Sequence, residues 1–478
     1  MKTSFVTAVL TLSLCCTSMA KPGGLIKKTD YRAEYKDVPT SISAPATPSI
    51  PRRSLSIEEF GGKGDGMTMN TEAFRKAVTA LSDKGGGHLV VPAGIYLTGP
   101  IVLKDRIDLH LERNAVILFS PDKKEFLRKD GKGVVPCISA SRCKDIIISG
   151  EGIIDGNGEW WRGVKRSKVS DVEWKDFRRS GGTVSSEGDI WYPFNIKGLD
   201  NIAESAEKQE KMRTHLIRLT SCERVLIKGV TVQNSPKFHI VPQRCKDVVL
   251  DGVTVRCPWN AQNGDGIDLM QCRNALVTRC KVDVGDDGIC LKAGAGAEAL
   301  QGGPCQNILI QDNTVFHAHG GFVIGSEFSG GMKDIVVRRN TFSGTDTGLR
   351  FKSGPGRGGV TSNIIISDIM MDDIRGEAIV FEAGYVNVAV GNEPATSTAS
   401  DSEDFIPEFT DIRISRVFCS RAAIGVAARG SIQTIHDITL EDSILLYTDK
   451  ALDLQDAYSV TIAPDVSFTP GIAAINPL

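Results

Sequence analysis

The chain contains 478 residues, and 49 of them are glycine, which is about a tenth of the chain and more than the usual ~7%. Hydrophobic residues make up 41% and charged residues 24%, a composition that indicates a soluble protein with enough apolar side chains for a large core. The formal net charge of −2 argues against a nucleic-acid-binding protein, which usually carries a basic excess. It remains compatible with a local basic cluster that binds an acidic ligand.

The first 20 residues have the features of a secretory signal peptide. Lys2 is followed by a mostly apolar stretch over residues 5–16, and Ser18-Met19-Ala20 has the small-x-small pattern of a cleavage site. The apolar stretch is too short to span a bilayer. Residues 21–54, rich in proline, serine, threonine and lysine, are predicted to form a flexible leader. The mature protein is therefore expected to be exported, either secreted or periplasmic, without stable insertion into a membrane.

Two of the twelve cysteines, Cys15 and Cys16, lie in the predicted signal peptide. They raise the alternative of a lipid anchor, but Leu14 precedes Cys15 where a small residue is expected. The ten remaining cysteines are too few for a disulfide scaffold in a chain of this length. The chain has no Cys-x-x-Cys pair, so a zinc site is not indicated.

One helix is predicted ahead of the repetitive part of the chain. Apolar residues recur at helical spacing over residues 73–84, at Phe74, Ala77, Val78 and Leu81. A helix in this place is expected to cap the N-terminal end of the fold, which would otherwise be an exposed sheet edge.

A short phrase recurs from residue 143 onward: a polar turn, an apolar triplet and another polar turn. Its copies begin at Cys143, Cys222, Cys245, Cys272, Cys305, Met332, Thr361 and Ile435. The third positions of six successive copies, from 224 to 363, are 23, 27, 33, 27 and 29 residues apart, and periods of this size are typical of a solenoid. The phrases are short, β-branched and closed by glycine, asparagine or aspartate, as strands are.

These patterns predict an all-β protein, a right-handed parallel β-helix with three short strands per turn and an N-terminal capping helix. The recurrent cysteine predicts an interior ladder of thiols. Residues 55–478 are expected to form a single catalytic domain, with loop insertions near 157–213 and 384–410 where the repeat is interrupted. Such loops commonly wall a binding cleft.

A second phrase marks a candidate site on four successive turns. It reads glycine, apolar, any residue, apolar, and begins at Gly266, Gly288, Gly321 and Gly348. Residues in and just before these phrases are expected to stack in space, which places six chemically active side chains on one patch: Asp265, Asp286, Asp287, His319, Arg350 and Lys352. Each motif alone is weak, because aspartate and glycine are common at turns, but four in register favour a functional site.

This patch has the chemistry of a glycosidase for an acidic polysaccharide. Three crowded carboxyl groups cannot all ionise freely, so one pKa is expected to rise. A protonated carboxyl can donate to a leaving oxygen while an ionised one activates water, and pairs of this kind cleave glycosidic bonds. Arginine and lysine beside them would bind a carboxylate of the substrate.

The ordered motifs resemble those of the polygalacturonase family of glycoside hydrolases, family 28. The matching segments are Asn263-Gly264-Asp265, Gly285-Asp286-Asp287, His319-Gly320 and Arg350-Phe351-Lys352. Residues 60–66 and 91–96 also resemble the common opening of pectin-acting β-helix enzymes. The departures are small: Gly264 stands where threonine is frequent, and Phe351 where isoleucine is frequent.

The resemblance implies hydrolysis of α-1,4-galacturonosyl bonds of pectin, a plant cell-wall polysaccharide, with inversion and without a cofactor or metal. It implies Asp286 as the general acid, kept protonated through His319, and Asp265 and Asp287 as a shared general base. An acid and a base that invert are expected to lie about 6.5–9.5 Å apart.

The remaining members of the predicted site would hold the substrate. By the same resemblance, Arg350 and Lys352 would bind the galacturonate carboxylate, and Asn263 would orient Asp265. Tyr385 is a candidate either for a neighbouring subsite or for a structural role.

Several alternatives stay open at this stage. The enzyme could act on rhamnogalacturonan or xylogalacturonan, although Arg350 and Lys352 favour plain galacturonate. A pectate lyase has the same fold but needs Ca²⁺-binding acids. A β-helix that binds polysaccharide without catalysis is the alternative outside enzymes. The long insertion at 157–213 favours exo action, because exo enzymes close one end of the cleft with loops.

Overall fold

The computed structural model describes residues 29–131, 133–185, 187–193, 212–386 and 404–471. It confirms the predicted right-handed parallel β-helix. Each turn contributes strands to three parallel sheets, named A, B and C here, and strands of successive turns pair in register. Three long strands, Met332–Ser343, Thr361–Asp372 and Ile412–Arg429, bend from sheet A into sheet B, and the last continues into sheet C.

The other strands divide among the three sheets in chain order. Sheet A contains Ser54–Ser56, Gly87–Val91, Ile107–Leu111, Lys144–Gly150, Glu223–Lys228, Lys246–Asp251, Arg273–Thr278, Cys305–Gln311, Ile438–Glu441 and Thr461–Ile462. Sheet B contains Gly94–Thr98, Ala115–Phe119, Ile153–Asp155, Thr231–Gln233, Thr254–Arg256, Lys281–Asp283, Thr314–Phe316, Ile444–Leu454 (which ends in sheet C) and Ser467–Pro470. Sheet C contains Ile101–Val102, Ile138–Ser141, Ile217–Thr220, Ile240–Gln243, Ile267–Met270, Ile289–Lys292, Phe322–Gly325, Leu349–Lys352 and Glu377–Glu382.

The recurrent phrase forms the strands of sheet A, and its third residue has a special backbone. Asp247, Asn274 and Asn307 occupy this position with φ of 58°, 56° and 61°, in the left-handed region that asparagine and aspartate tolerate best. Their side chains form a ladder, since the Asn274 amide donates to Asp247 Oδ1 across 3.1 Å. The phrase therefore encodes a bend at the start of each strand as well as its apolar interior.

The recurrent cysteines line the interior as predicted. Cys222, Cys245, Cys272 and Cys305 are buried at the turns that lead into sheet A. The Cys222 amide donates to the Cys245 sulfur across 3.4 Å. All ten cysteines between Cys137 and Cys419, which lie in the described ranges, are unpaired thiols.

The predicted capping helix is present as α1, Thr71–Asp83. It buries Phe74, Ala77, Val78 and Leu81 against the first turn of the solenoid, which covers the interior at that end. Two further helices, α2 (Asp171–Arg179) and α3 (Gly296–Gly302), lie off the solenoid. Short 3₁₀ helices span Arg32–Tyr35, Ile57–Phe60, Lys123–Phe126, Gly158–Trp160 and Arg166–Lys168.

Residues 29–53 run along the outer face of sheet A. The Tyr31 hydroxyl donates to Asp251 Oδ2 across 2.9 Å, and Arg338 donates to the Asp37 carbonyl across 2.8 Å. Tyr31 and Ile42 cover a row of outward apolar side chains: Ile147, Leu226, Val249, Leu276, Leu309 and Val336. The proline- and serine-rich composition of these residues predicts a flexible leader. It does not indicate this packing, because the contacts are made by isolated residues that form no sequence pattern. The predicted signal peptide lies outside the described residues.

The insertion at 157–213 is a small unit of its own where the structure describes it. Strands Val164–Lys165, Thr183–Val184 and Ile190–Tyr192 form an antiparallel sheet, and helix α2 packs beside it. Val164, Trp174 and Trp191 form its apolar cluster. The other predicted insertion, 384–410, falls mainly on residues that are not described. Within the described ranges, no helix is both long and apolar enough to cross a membrane.

Candidate functional site

Sheet C and the turns that enter it carry the candidate site. Its strands pair so that Ile289, Phe322 and Leu349 stack inward, and the alternate residues Arg350 and Lys352 therefore point outward. Asp265, Asp286, Asp287 and His319 lie in the turns just before these strands. The structure thus brings together the six side chains that the register of the second phrase predicts.

Asp286 is the most accessible carboxyl group of the predicted triad. Its side chain is 17% exposed, compared with 4% for Asp265 and 2% for Asp287. Asp286 Oδ2 accepts the backbone N–H of Asn263, and Oδ1 accepts the N–H of Asp287, each across 3.0 Å. His319 Nδ1 lies 3.1 Å from Oδ1. Burial opposes ionisation of Asp286, but the hydrogen bond from His319, the charge of that ring when it is protonated, and the charges of Lys352 and Lys168 hold the pKa of Asp286 well below the usual range.

Asn263 is placed differently from its prediction. Its backbone N–H contacts Asp286, not Asp265, and its own φ of 50° lies in the left-handed region. The Asn263 side-chain oxygen accepts from Arg213 across 2.7 Å. Asn263 therefore orients Asp286 through its backbone, and Arg213 fixes the turn.

Asp287 is held by the two cations predicted for the substrate. Lys352 Nζ donates to both oxygens of Asp287, across 3.1 and 2.8 Å, and Arg350 Nη1 lies 3.6 Å away. Burial raises the pKa of Asp287, but the positive charges of Lys352, Lys292 and Arg350 together outweigh it and keep the pKa below its usual value. Lys352 is thus largely committed to Asp287, whereas Arg350, with an 18% exposed side chain, remains accessible from the cleft.

Asp265 carries the raised pKa that carboxylate crowding predicts. It is buried, and burial together with the charges of Asp268 and Asp286 raises its pKa well above the usual value. The surroundings therefore favour a proton on Asp265 over one on Asp286, the carboxyl group that the family resemblance implies to be protonated. The reason is the distribution of donors: among the described residues Asp286 accepts three hydrogen bonds, whereas Asp265 Oδ1 has no partner there.

Two further charged residues complete the cluster and were missed by the sequence analysis. Lys292 Nζ lies 3.5 Å from Asp268 Oδ1 and 3.8 Å from Asp265 Oδ2, and all three residues are buried. Burial lowers the pKa of Lys292, but the surrounding acids raise it well above its usual value overall, so that it stays charged. Asp268 and Lys292 occupy the same outward positions of the second phrase as Arg350 and Lys352. The same strand positions that identify Arg350 and Lys352 therefore also identify Asp268 and Lys292.

Asp286 and Asp287 approach each other more closely than expected. One oxygen of each carboxylate and one ring nitrogen of His319 lie within 4.8 Å of one another, compared with the 6.5–9.5 Å predicted for the acid and base. Such a triad has the residue types of a metal site. However, Lys352 Nζ already donates to Asp287, and Lys168 Nζ lies 3.2 Å from His319 Nε2, so two positive charges oppose a cation there.

The insertion at 157–213 adds two cations to the site. Lys168 Nζ donates to the carbonyl of Gly285 across 2.9 Å, next to Asp286. Arg213, at the other end of the insertion, donates to the Gln262 carbonyl across 2.8 Å. The sequence predicts that this insertion is a wall of the cleft, but neither residue belongs to a repeat, so no pattern identifies them.

A basic cavity of about 930 Å³ adjoins the carboxyl cluster on the preceding turns of sheet C. No aspartate or glutamate is present among its described lining residues, whereas five cations are: Arg128, Arg213, Arg218, Lys237 and Arg244. Burial and the charges of Arg128 and Arg244 lower the pKa of Arg218. The described lining therefore carries five positive charges and no carboxylate, a composition that suits an anionic ligand.

Tyr385 lies on the opposite side of the cluster. Its ring is 5.6 Å from the Arg350 guanidinium, 5.2 Å from Lys352 Nζ and 5.4 Å from the Arg357 guanidinium. These cation–π contacts place Tyr385 at the edge of the site and hold Arg350 in position.

Comparison with known proteins identifies relatives across most of the described solenoid. Residues 163–402, about half of the chain, match the family described as glycosyl hydrolases family 28. The chain is 29% identical over 394 residues to an exo-poly-α-D-galacturonosidase of Dickeya chrysanthemi, which covers 77% of this chain and 64% of that protein. It is also 29% identical over 327 residues to a probable polygalacturonase of Vitis vinifera, which covers 67% of this chain and 61% of that protein.

Among solved structures, a hyperthermoactive exopolygalacturonase from Thermotoga maritima is similar with a TM-score of 0.68 and 28% identity. That match covers 88% of this chain and 94% of the other, whereas the chain spans less than two thirds of the Dickeya and Vitis proteins. The family resemblance carried by the four motifs is confirmed, and the chain belongs to family 28 of the glycosyl hydrolases.

Proposed function

We propose that this protein hydrolyses α-1,4-galacturonosyl bonds of pectin or polygalacturonate, and that it releases its product from a chain end. One observation carries the proposal: a cluster of buried acids adjoins a cavity lined by five cations and, among its described residues, no acid. The acids supply proton transfer, and the cavity fits a sugar chain with a carboxylate on every residue.

Exposure supports Asp286 as the general acid. The acid must contact the glycosidic oxygen of a bulky sugar, whereas the base needs to reach only a water molecule. Asp286 is accessible from the cleft, and Asp265 and Asp287 are almost completely buried behind it. Asp286 would protonate the leaving oxygen while Asp265, assisted by Asp287, accepts a proton from the attacking water.

The substrate itself would move the proton to Asp286. A galacturonate carboxylate bound at Arg350 adds a negative charge near Asp286 and occupies a cation that stabilises its ionised form. Both changes raise the pKa of Asp286. The proton that Asp265 holds in the free site would then transfer to Asp286, which leaves Asp265 ionised as the base. Within this scheme Arg350 binds substrate, and Lys352 chiefly keeps Asp287 ionised.

Exo action is supported by two relatives and by the insertion. The Dickeya relative and the Thermotoga structure are both named as exo enzymes. The described part of the insertion contributes Arg213 to the lining of the basic cavity and places Lys168 beside His319. This placement is suited to a wall that closes the cleft beyond a chain end.

A product assay tests the function and its alternatives together. The purified full chain is incubated with polygalacturonate, and reducing ends are measured while products are separated by chromatography. Short products from the start, with no ladder of intermediate oligomers, are expected for exo action; a ladder would contradict it. Faster release from rhamnogalacturonan or xylogalacturonan would reassign the substrate. Unsaturated products that form only without EDTA would indicate a lyase.

A polysaccharide-binding protein without catalysis is the outcome if none of these substrates yields new reducing ends. In that case polygalacturonate would still bind, which affinity electrophoresis measures.

The domain organisation, with a signal peptide over residues 1–20 and one catalytic domain over 55–478, is likewise a proposal. N-terminal sequencing of the exported protein tests it, since cleavage after Ala20 is expected.

A further inference from the structure

Lys168 contacts the acid–histidine pair from outside the β-helix. It lies at the end of the 3₁₀ helix Arg166–Lys168 in the insertion, and its ammonium group contacts the site. Nζ donates to the Gly285 carbonyl across 2.9 Å and lies 3.2 Å from His319 Nε2. The other ring nitrogen of His319, Nδ1, faces Asp286 Oδ1 at 3.1 Å.

The chemistry of these groups decides where the protons are. A lysine ammonium has three N–H donors and no acceptor, so a ring nitrogen at hydrogen-bond distance from it must accept. His319 Nε2 is therefore unprotonated, and the single ring proton is on Nδ1, where it donates to Asp286. Asp346 Oδ2, at 3.9 Å from Nε2, is too distant to hold a proton there by a hydrogen bond.

We propose that Lys168 is a positioning residue that keeps His319 neutral with its proton on Nδ1, and thereby keeps an imidazolium away from the general acid. This inference rests on the proposed function, because it assigns a role to the acid Asp286. The insertion thus takes part in catalysis through one side chain, in addition to forming a wall of the cleft.

The consequence for Asp286 follows from distances. Without the Lys168 ammonium, Nε2 is free to bind a proton, and nearby Asp346 favours it. His319 would then be a cation 3.1 Å from Asp286, closer than Lys168, which acts from behind the ring. The other titratable groups near Asp286 are Asp265, Asp268, Asp287, Arg350 and Lys352, and Arg375 lies 3.5 Å from Asp346; the substitution changes none of them. A closer positive charge makes Asp286 harder to protonate.

Lys168→Met removes the charge and keeps the length of the side chain. We expect kcat on polygalacturonate to fall about tenfold, with KM within about twofold, because a misplaced proton impairs the acid step and not binding. The alkaline limb of the pH–kcat profile should move to lower pH by about half a unit. Lys168→Arg should restore most of kcat, since a guanidinium also only donates. Lys175→Met, which removes an exposed lysine from helix α2 of the same insertion, serves as the matched control.

Nitrogen NMR of the full chain labelled with ¹⁵N-histidine gives a readout that does not require activity. His319, assigned by its loss in His319→Gln, should show a protonated Nδ1 and an unprotonated Nε2 in the wild type. In Lys168→Met we expect Nε2 to be protonated at acid pH. An unchanged tautomer, an alkaline limb that stays or moves upward, or a loss confined to KM would each overturn the inference. If the wild type cleaves no pectic substrate but shows the expected tautomers, the proposed function fails while the assignment for Lys168 stands.

Discussion

Asp268 makes the stability of the protein dependent on pH, and the effect can be worked out from its surroundings. Its side chain is fully buried in sheet C, and neither carboxylate oxygen has a hydrogen-bond partner among the described residues. Burial raises the pKa of Asp268 to about 7, against the opposing charge of Lys292. The substitution Asp268→Asn replaces the group by a neutral isostere that cannot titrate.

The sign of the effect follows from proton binding. The unfolded chain releases the Asp268 proton near pH 4, its ordinary pKa, and the folded protein releases it near pH 7. Between these values the folded state binds more protons, so its stability falls as the pH rises. A shift of this size corresponds to about 4 kcal/mol, which is present below pH 4 and lost by pH 8. Because the Asp268 charge also raises the pKa of Asp265, the difference between wild type and variant reports Asp268 together with this effect on Asp265.

Chemical denaturation of both proteins at pH 4, 6 and 8 measures this difference. We expect Asp268→Asn to gain stability relative to wild type by up to about 4 kcal/mol between pH 4 and pH 8. The exposed substitution Asp449→Asn should follow the wild type at every pH. A constant difference between wild type and Asp268→Asn would refute the reasoning, because it would mean that Asp268 is ionised in the folded state throughout.

Three predictions concern activity. Asp286→Asn should lower kcat about 10³-fold and leave polygalacturonate binding within a few-fold, as measured by kinetics and calorimetry; near-wild-type turnover would remove Asp286 as the acid. Proton NMR of the first product should show the β-anomer, as inversion requires, whereas an α-anomer would mean that the closely spaced carboxyl groups retain configuration. Arg218→Gln combined with Arg244→Gln should raise KM about tenfold with kcat within twofold, and should weaken the salt dependence of KM. An unchanged KM would separate the basic cavity from substrate binding.

The fold could be predicted because each turn of the β-helix repeats the same short sequence pattern. The apolar triplet gives the strand, and the third residue of the phrase, asparagine or aspartate in most copies, gives the left-handed bend that precedes it. Asn274 and Asn307 show both functions, since each has a positive φ and joins the side-chain ladder. The repeat therefore predicts the β-helix. The capping helix is predicted separately, from apolar residues at helical spacing.

The site could be predicted only where it follows the repeat. Arg350 is identified by its position in the second phrase, and Asp268 occupies the same position three turns earlier. Lys168 and Arg213 lie in an insertion that has no counterpart on other turns, so their approach to Asp286 depends on how that unit packs. The sequence pattern also does not indicate which carboxyl group of the cluster is protonated. That depends on which group accepts hydrogen bonds from backbone N–H groups and which is buried without them.

Charge balance connects these features to the substrate. In mildly acidic solution the raised pKa values keep Asp265 and Asp268 protonated, so the cluster contains three carboxylates: Asp286, Asp287 and Glu327, a partly buried acid near Lys292 whose pKa is lowered, against the effect of burial, by that lysine. Four cations surround them: Lys168, Lys292, Arg350 and Lys352. The site is therefore positive at acid pH, beside a cavity that is positive as well, although the whole chain has a net charge of −2. Ionisation of Asp268 near pH 7 removes part of this excess, so affinity for a polyanionic substrate should decline as the pH rises toward neutrality.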